Sequence, residues 1–245
     1  MHPAPSVILF STLSGLGFGF LGFLGWGALA PAGWAAFFFW GLGYGLAVAG
    51  LMASTFHLGN PKNALKAFTQ WRTSWLSREA WASVATLLLL APVALSGIFG
   101  LGLPGLVGQA GGTLALVTVF TTAMIYTQIK AVPRWHHWLT PVMFLSFAVA
   151  GGATLSGRVW APAALLAVGI VLLAVWRVGD GAFAQAAQTL GTATGLDALG
   201  VPSVLDPAHT AGNYLKREMI FVVGRKHAAK LRKIALVLAS LAPAL

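Results

Sequence analysis

The sequence predicts an all-α protein, a polytopic bundle of transmembrane helices. Of its 245 residues, 58% are hydrophobic and only 8% are charged, and the mean hydropathy is +0.81. A soluble domain has about 25% charged residues. Apolar stretches of about 20 residues, the length that crosses a bilayer, recur along the chain. Too little polar surface remains to cover the molecule in water, so lipid must solvate much of it.

Six stretches are long and apolar enough to span the membrane. The predicted spans are Ser6–Leu29, Gly33–Phe56, Glu79–Leu101, Leu106–Ile129, Leu139–Leu155 and Val159–Trp176. A last apolar run, Ile234–Leu245, starts a seventh span but is too short to complete it. In the first span, Gly15, Gly19 and Gly22 have a spacing that allows helices to approach closely. Residues 1–245 are therefore interpreted as a single transmembrane domain.

Two connections differ from the spans in composition. In the stretch FHLGNPKNALKAFTQWRTSWLSRE at 56–79, Asn60-Pro61 is typical of a helix start, and apolar side chains then recur three and four residues apart. This pattern predicts a basic amphipathic helix over 60–76, lying in the membrane interface and covering a pocket open to lipid. The connection 177–231 is polar and is expected to be irregular up to Ala211 and helical from there to Lys230.

Basic residues are segregated to one side of the predicted bundle. When the spans alternate in direction, 14 of the 15 Lys and Arg residues lie in the connections after spans two, four and six, and only Arg158 lies on the other side. Lys and Arg favour cytoplasmic loops, so the N-terminus and these connections are predicted to be cytoplasmic. All six histidines and all five acids share that side. The same bias explains the net charge of +10 without nucleic acid as a partner.

Several kinds of site are disfavoured by the residue content. The chain has no cysteine, which excludes thiolate-bound zinc and iron–sulfur clusters within it. A b-type haem in a helical bundle needs histidines inside the spans, and no predicted span interior contains one. A transporter needs polar groups near the bilayer midplane, where only Gln109 and nearby threonines are available.

His57 and Glu79 stand where two predicted spans meet the interface. Ionisable residues at this depth indicate function. A quinone has an apolar tail and two carbonyl oxygens, and its reduction takes up two electrons and two protons. Its site needs an opening to lipid, a hydrogen-bond donor and a proton-carrying group. His57 is suited to hold one carbonyl and Glu79 to relay protons, although the residues alone leave open that both merely end their helices.

Short motifs in a fixed order resemble the membrane anchors of the dimethyl sulfoxide reductase anchor family. They are His57-Leu58-Gly59-x-Pro61, Gln70–Trp75, Leu76-Ser77-Arg78-Glu79, Tyr126 with Val132-Pro133-Arg134-Trp135, and His209-Thr210 with Asn213–Met219. The resemblance implies a helical anchor of eight spans with no haem, iron–sulfur cluster or molybdenum of its own. It also implies two partners, a ferredoxin-like iron–sulfur subunit and a molybdopterin catalytic subunit, and a bound ubiquinone or menaquinone.

The resemblance also implies which residues act. It ties quinone to His57 and Glu79, with Trp75 and Arg78 expected to shape the pocket, whereas Asn63 stands where the family often has Arg. The expected partner-docking residues are Arg134, His136, His137, Arg217, Arg225 and Lys226. Anionic membrane lipid is the other expected partner of this basic surface.

Orientation separates branches within the family. A cytoplasmic docking face, together with LysArgGluMet at 216–219 and ArgLysHisAla at 225–228, is similar to the branch that anchors cytoplasmic sulfite:quinone dehydrogenases. This implies a bacterial inner-membrane protein that passes electrons from sulfite into the quinone pool. The alternatives are a quinol-oxidising anchor of a reductase and, from a different class, a small-solute transporter without redox partners.

Overall fold

The computed structural model describes residues 4–55, 61–186, 189–203 and 221–245, and within these ranges the chain forms helices and no strand. Its body consists of α1 (Pro5–Gly25), α2 (Gly33–Thr55), α3 (Trp75–Phe99), α4 (Gly105–Thr127), α5 (Leu139–Leu155) and α6 (Ala161–Gln185). All of these except α5 are long and apolar enough to cross a membrane, and α5 is an apolar helix of 17 residues. The predicted all-α class and polytopic bundle are confirmed.

Three helix ends differ from the predicted spans by four residues or more, and the first is α1, which ends at Gly25 and not at Leu29. Helix α3 begins at Trp75, four residues before the predicted start, so Arg78 and Glu79 lie inside the helix. Helix α6 continues to Gln185, nine residues past the predicted end at Trp176. The continuation is possible because Asp180, on this extra length, is ion-paired to basic residues from neighbouring segments.

Helix α1 lies at the centre of the bundle, packed against α2, α4 and α5. Its second half is buried on every side, with Phe20 and Leu21 at 0% exposure. A Cβ at Gly19 would lie 2.1 Å from the carbonyl oxygen of Ala148 on α5, so the two backbones touch as the glycine spacing predicted. By contrast, a Cβ at Gly15 would meet no atom within 4 Å.

The sequence predicted a helix over 60–76, and the described part of the segment between α2 and α3 contains a shorter one. Residue 60 lies outside the described ranges, Pro61–Phe68 form a 3₁₀ helix, and turns lead from there to Ser74. We call residues 61–74 the rim segment. Side chains of α3 donate hydrogen bonds to carbonyl oxygens near the end of this segment. The indole nitrogen of Trp81 donates to Phe68 at 3.0 Å, and Arg78 donates to two further carbonyls.

The connection after α6 is partly helical where it is described. Short helices form α7 (Leu190–Thr194), a 3₁₀ turn (Leu196–Leu199) and α8 (Val222–Lys226). Residues 204–220, including the first half of the helix predicted over 211–230, lie outside the described ranges. Helix α9 (Ala228–Leu236) continues through a π-helical turn (Val237–Leu241) into α10 (Ala242–Ala244). The Ser240 hydroxyl donates to the Leu165 carbonyl at 2.7 Å, which seats this last stretch along α6.

Contacts between helices place the connections that carry the cations at one end. Glu79 near the start of α3 meets Thr122 near the end of α4, and Ser14, midway along α1, packs against Gly50 in the last third of α2. Arg134 before α5 meets Asp180 near the end of α6. We call this end, formed by the rim segment and residues 128–138, 177–186 and 222–233, the basic rim.

Candidate functional site

Glu79 is a buried carboxyl one turn inside α3. Its side chain is 4% exposed and accepts a hydrogen bond from the Thr122 hydroxyl of α4 at 3.2 Å. Among the described residues, no Lys, Arg or His lies within ion-pair distance of it. A charged carboxylate is costly to bury without a cationic partner. Such a group inside a membrane helix indicates a functional role.

Hydroxyl groups continue inward from Glu79 between α3 and α4. The Thr122 hydroxyl also donates to the backbone oxygen of Thr118, and the Thr118 and Thr86 hydroxyls lie 3.0 Å apart in a buried contact. We call Thr122, Thr118 and Thr86 the hydroxyl seam. One turn beyond Thr86, the next buried side chain of α3 is Leu90, at 0% exposure. The hydroxyl seam therefore runs through the half of the bundle that lies on the side of the basic rim.

Ser77 is a buried polar residue that the sequence did not single out as a site residue. It is 1% exposed, and among the described residues its hydroxyl has no hydrogen-bond partner. It lies on α3 between Trp75 and Glu79. A buried hydroxyl without a partner loses solvation energy. Ser77 and Glu79 thus place two buried polar groups in one helical turn, and of the two only Glu79 has a side-chain hydrogen bond among the described residues.

Arg78 fixes the rim segment to α3. Its guanidinium lies 4.3 Å from the centre of the Trp75 ring and donates to the carbonyl oxygens of Trp71 at 3.0 Å and Arg72 at 2.7 Å. Trp75 in turn packs edge-to-face against Phe120 of α4, with ring centres 6.1 Å apart. Of the two residues predicted to shape the pocket, Arg78 thus points toward the rim segment and holds it, whereas Trp75 packs between Arg78 and α4.

The remaining predicted site residues fall into two groups. His57 and Arg217 lie outside the described residues, as does the side chain of Arg225, so their roles stay predictions. His136 and His137 are folded into the connection between α4 and α5. The first donates from Nδ1 to the carbonyl oxygen of Thr127 at 2.7 Å, and the second donates from Nε2 to that of Arg134 at 2.8 Å. Lys226 is exposed at the basic rim.

Asp180 joins three segments of the basic rim. Its carboxylate accepts from Arg134 Nε at 2.9 Å and from the two terminal nitrogens of Arg232 at 2.6 and 2.8 Å. The hydrogen bonds to Asp180 raise the pKa of the Arg232 guanidinium, which keeps it charged. Sequence reasoning missed this ion-pair cluster because its partners lie 46 and 52 residues from Asp180 in the chain.

Two adjoining cavities lie between α1, α5 and α6. The cavity nearer the basic rim has a volume of about 680 Å³, and its lining includes Tyr126 and all three residues of the ion-pair cluster. The second, of about 390 Å³, is almost wholly apolar and shares Ser11, Met143 and Phe144 with the first. Neither of these two cavities is lined by Glu79, Trp75 or Arg78, so the pocket predicted beside Glu79 is not one of them.

The fold and these groups define a multi-pass helical membrane protein in which the acidic and basic side chains of the described residues, apart from Arg158, gather at one rim. The chain belongs to the DMSO reductase anchor subunit (DmsC) family, whose model matches residues 35–191. It is also 32% identical, over 187 residues, to a subunit of the sulfite dehydrogenase of Allochromatium vinosum. That match covers 64% of this chain and 54% of the relative, so the chain spans about half of the relative's length. No solved structure matches the chain. The family resemblance of the sequence motifs is confirmed.

Proposed function

We propose that this chain is the membrane anchor of a molybdenum-enzyme complex and passes electrons from a partner iron–sulfur subunit to membrane quinone. Family membership supports the anchor role, and the similarity to a sulfite dehydrogenase subunit supports sulfite as the electron source. The observation that carries the quinone role is Glu79, a carboxyl buried inside a membrane helix without a cationic partner among the described residues.

The residues around Glu79 suit proton transfer to a quinone. A bound quinone supplies the acceptor for two electrons and two protons. In our proposal Glu79 gives a proton to a quinone oxygen and recovers one from water at the basic rim, while Thr122 orients its carboxyl group. His57 holds the other carbonyl. Ser77, whose hydroxyl has no partner among the described residues, offers one further donor in the same turn.

Arg78 and Trp75 are positioning residues in this proposal. The two hydrogen bonds from Arg78 hold the rim segment against the start of α3. In our proposal a segment fixed in this way limits the access of water to Glu79, and quinone approaches Glu79 from the lipid side. Because the hydroxyl seam extends inward only as far as Thr86 before α3 becomes apolar at Leu90, we propose that protons are exchanged on the side of the basic rim.

The basic rim is the proposed docking surface for the iron–sulfur subunit. Lys226 presents its charge outward, and Arg217 and Arg225 stand near it in sequence. His136, His137 and Arg134 shape the connection between α4 and α5 on the same end of the bundle. By the bias of Lys and Arg toward the cytoplasm, we propose that this rim faces the cytoplasm at a bacterial inner membrane.

Purification of the full-length protein with its bound subunits tests the proposal. We expect an iron–sulfur polypeptide and a molybdopterin polypeptide to co-purify, and sulfite to reduce added decylubiquinone or menadione at a rate that quinone analogues suppress. A complex that oxidises quinol but does not accept electrons from sulfite would assign the chain to a reductase. Purification without redox subunits would reject the anchor role itself.

A further inference from the structure

We propose that the two adjoining cavities between α1, α5 and α6 form a binding site for an anionic phospholipid. The phosphate of the lipid binds at the ion-pair cluster on the basic rim, and an acyl chain lies along the apolar cavity. This site is separate from the proposed quinone site, since neither cavity is lined by Glu79, Trp75 or Arg78.

Charge at the mouth of the larger cavity favours an anion. Two guanidinium groups, those of Arg134 and Arg232, share the single carboxylate of Asp180, which leaves an excess of one positive charge. Their side chains keep 47% and 37% of their surface exposed, so both remain accessible. Guanidinium groups bind phosphate oxygens through paired, charge-assisted hydrogen bonds. A phosphate at this mouth would balance the excess charge.

The aromatic residues at the same mouth are of the types that are enriched at the membrane interface. Tyr126, Trp135 and Trp176 line the larger cavity, and Trp176 lies beneath the Arg232 guanidinium at 5.5 Å. Rings with one polar atom are enriched at the depth of lipid headgroups. The cluster of Arg134, Asp180 and Arg232 therefore lies where a phosphate belongs in a bilayer.

The smaller cavity continues from this mouth toward the interior of the bundle. It is lined by Gly15, Leu16, Phe147 and Leu165, and almost all of its surface is apolar. Gly15 leaves it open, because a Cβ there would meet no atom within 4 Å. An apolar trench that starts beneath a cationic mouth fits an acyl chain attached to a phosphate. A quinone lacks the negative charge that the mouth favours, so its head does not complement this site.

The headgroup half of the proposal is tested on the full-length protein purified with its subunits in detergent. Native mass spectrometry follows the titration with dioleoyl phosphatidylglycerol, and dioleoyl phosphatidylcholine serves as the neutral comparison. We expect tighter binding of phosphatidylglycerol, weakened about fivefold by Arg134→Gln and by Arg232→Gln. Lys130→Gln removes the same charge from the same connection, outside the cavity lining, and is expected to change nothing.

Asp180→Asn distinguishes a ligand site from a purely structural cluster. Removing the carboxylate frees both guanidinium groups, so we expect phosphatidylglycerol to bind at least as tightly as it does to the unmodified protein. If Asp180→Asn weakens binding as much as the arginine changes do, or if Lys130→Gln matches them, the proposal is overturned.

The acyl-chain half is tested by filling the apolar cavity. Gly15→Leu places a side chain in open space and is expected to reduce phosphatidylglycerol binding at least tenfold. Gly45→Leu is the matched control on α2. A Cβ at Gly45 also meets no atom within 4 Å, and Gly45 lines neither cavity. Equal binding by the two variants would overturn the proposal, as would displacement of the bound lipid by equimolar decylubiquinone.

Discussion

Thr122 on α4 donates a hydrogen bond to the carboxyl group of Glu79 on α3 across 3.2 Å, although the two residues lie 43 positions apart in the chain. Both side chains are at least 95% buried. This contact ties the end of one membrane helix to the start of another and gives the buried carboxyl a fixed direction. It is the structural basis of the proton role that we propose for Glu79.

Replacing Glu79 with Gln tests that role directly. The amide keeps the size of the side chain but carries no transferable proton, so we expect quinone reduction by the intact complex to fall about 100-fold. Assembly is expected to be unchanged, as measured by co-purification of the partner subunits. Asp197→Asn, the same chemical change at an exposed acid, is the control. A Glu79→Gln complex with full turnover would remove Glu79 from the mechanism.

Replacing Thr122 with Val removes the donor while preserving the shape of the side chain. Glu79 then loses its hydrogen bond, and we expect a loss of about 1–3 kcal/mol in stability, seen as a lower Tm of the detergent-solubilised protein. Quinone turnover is expected to slow as well, because the carboxyl is no longer held. Thr127→Val is the control, since the Thr127 hydroxyl bonds only to Ala123 of its own helix among the described residues. Equal effects of the two changes would show that the hydrogen bond to Glu79 contributes nothing to stability or turnover beyond what loss of any threonine hydroxyl removes.

Gly19→Ala tests the close contact between α1 and α5. The added Cβ would lie 2.1 Å from the Ala148 carbonyl oxygen, a backbone atom that cannot move aside without separating the helices. We expect a marked loss of folded protein, measured by fluorescence-detected size-exclusion chromatography. Gly15→Ala, one turn earlier on the same helix and open to space, is expected to behave as the unmodified protein. Similar yields for the two variants would contradict the packing described for α1.

Arg78→Gln tests how the rim segment is held. The change removes the donors to the Trp71 and Arg72 carbonyl oxygens, so we expect faster hydrogen exchange across residues 61–74 while the helix α4 keeps its protection. Arg72→Gln is the control. It removes a positive charge from the rim segment but leaves the hydrogen bonds from Arg78 to the carbonyl oxygens of that segment in place. Unchanged exchange in Arg78→Gln would show that other contacts hold the segment.

The membrane class was predictable because bilayer thickness sets a length that apolar composition must match; of the six predicted spans, five are long enough among the described residues and α5 is shorter. Helix ends were less predictable. Helix α6 runs past Trp176 because Asp180 is neutralised by Arg134 and Arg232. These partners lie about 50 residues away in the chain, so no local sequence pattern predicts them. For the rim segment the sequence predicted a helix over 60–76, and the structure has a 3₁₀ helix over Pro61–Phe68. Carbonyl oxygens at the end of this helix and beyond it accept hydrogen bonds from Trp81 and Arg78, which lie further along the chain.

The candidate site was partly visible in the sequence. Glu79 stood out as a rare acid beside an apolar span, but its depth and its partner Thr122 depend on how α3 and α4 pack. Ser77 gave no signal, because a serine near a helix start usually reads as a cap. The cavities between α1, α5 and α6 depend on residues from four separate stretches of chain, and no periodicity within one stretch reveals them.

The central place of α1 has a consequence for biosynthesis. This helix precedes its neighbours α2, α4 and α5 in the chain, yet its glycine contact at Gly19 is completed only by α5. During translation, α1 can pack against α2 early, but its surface for α5 stays uncovered until more than 100 further residues have emerged. Assembly of this protein in the cell is thus set by the arrival of its fifth helix.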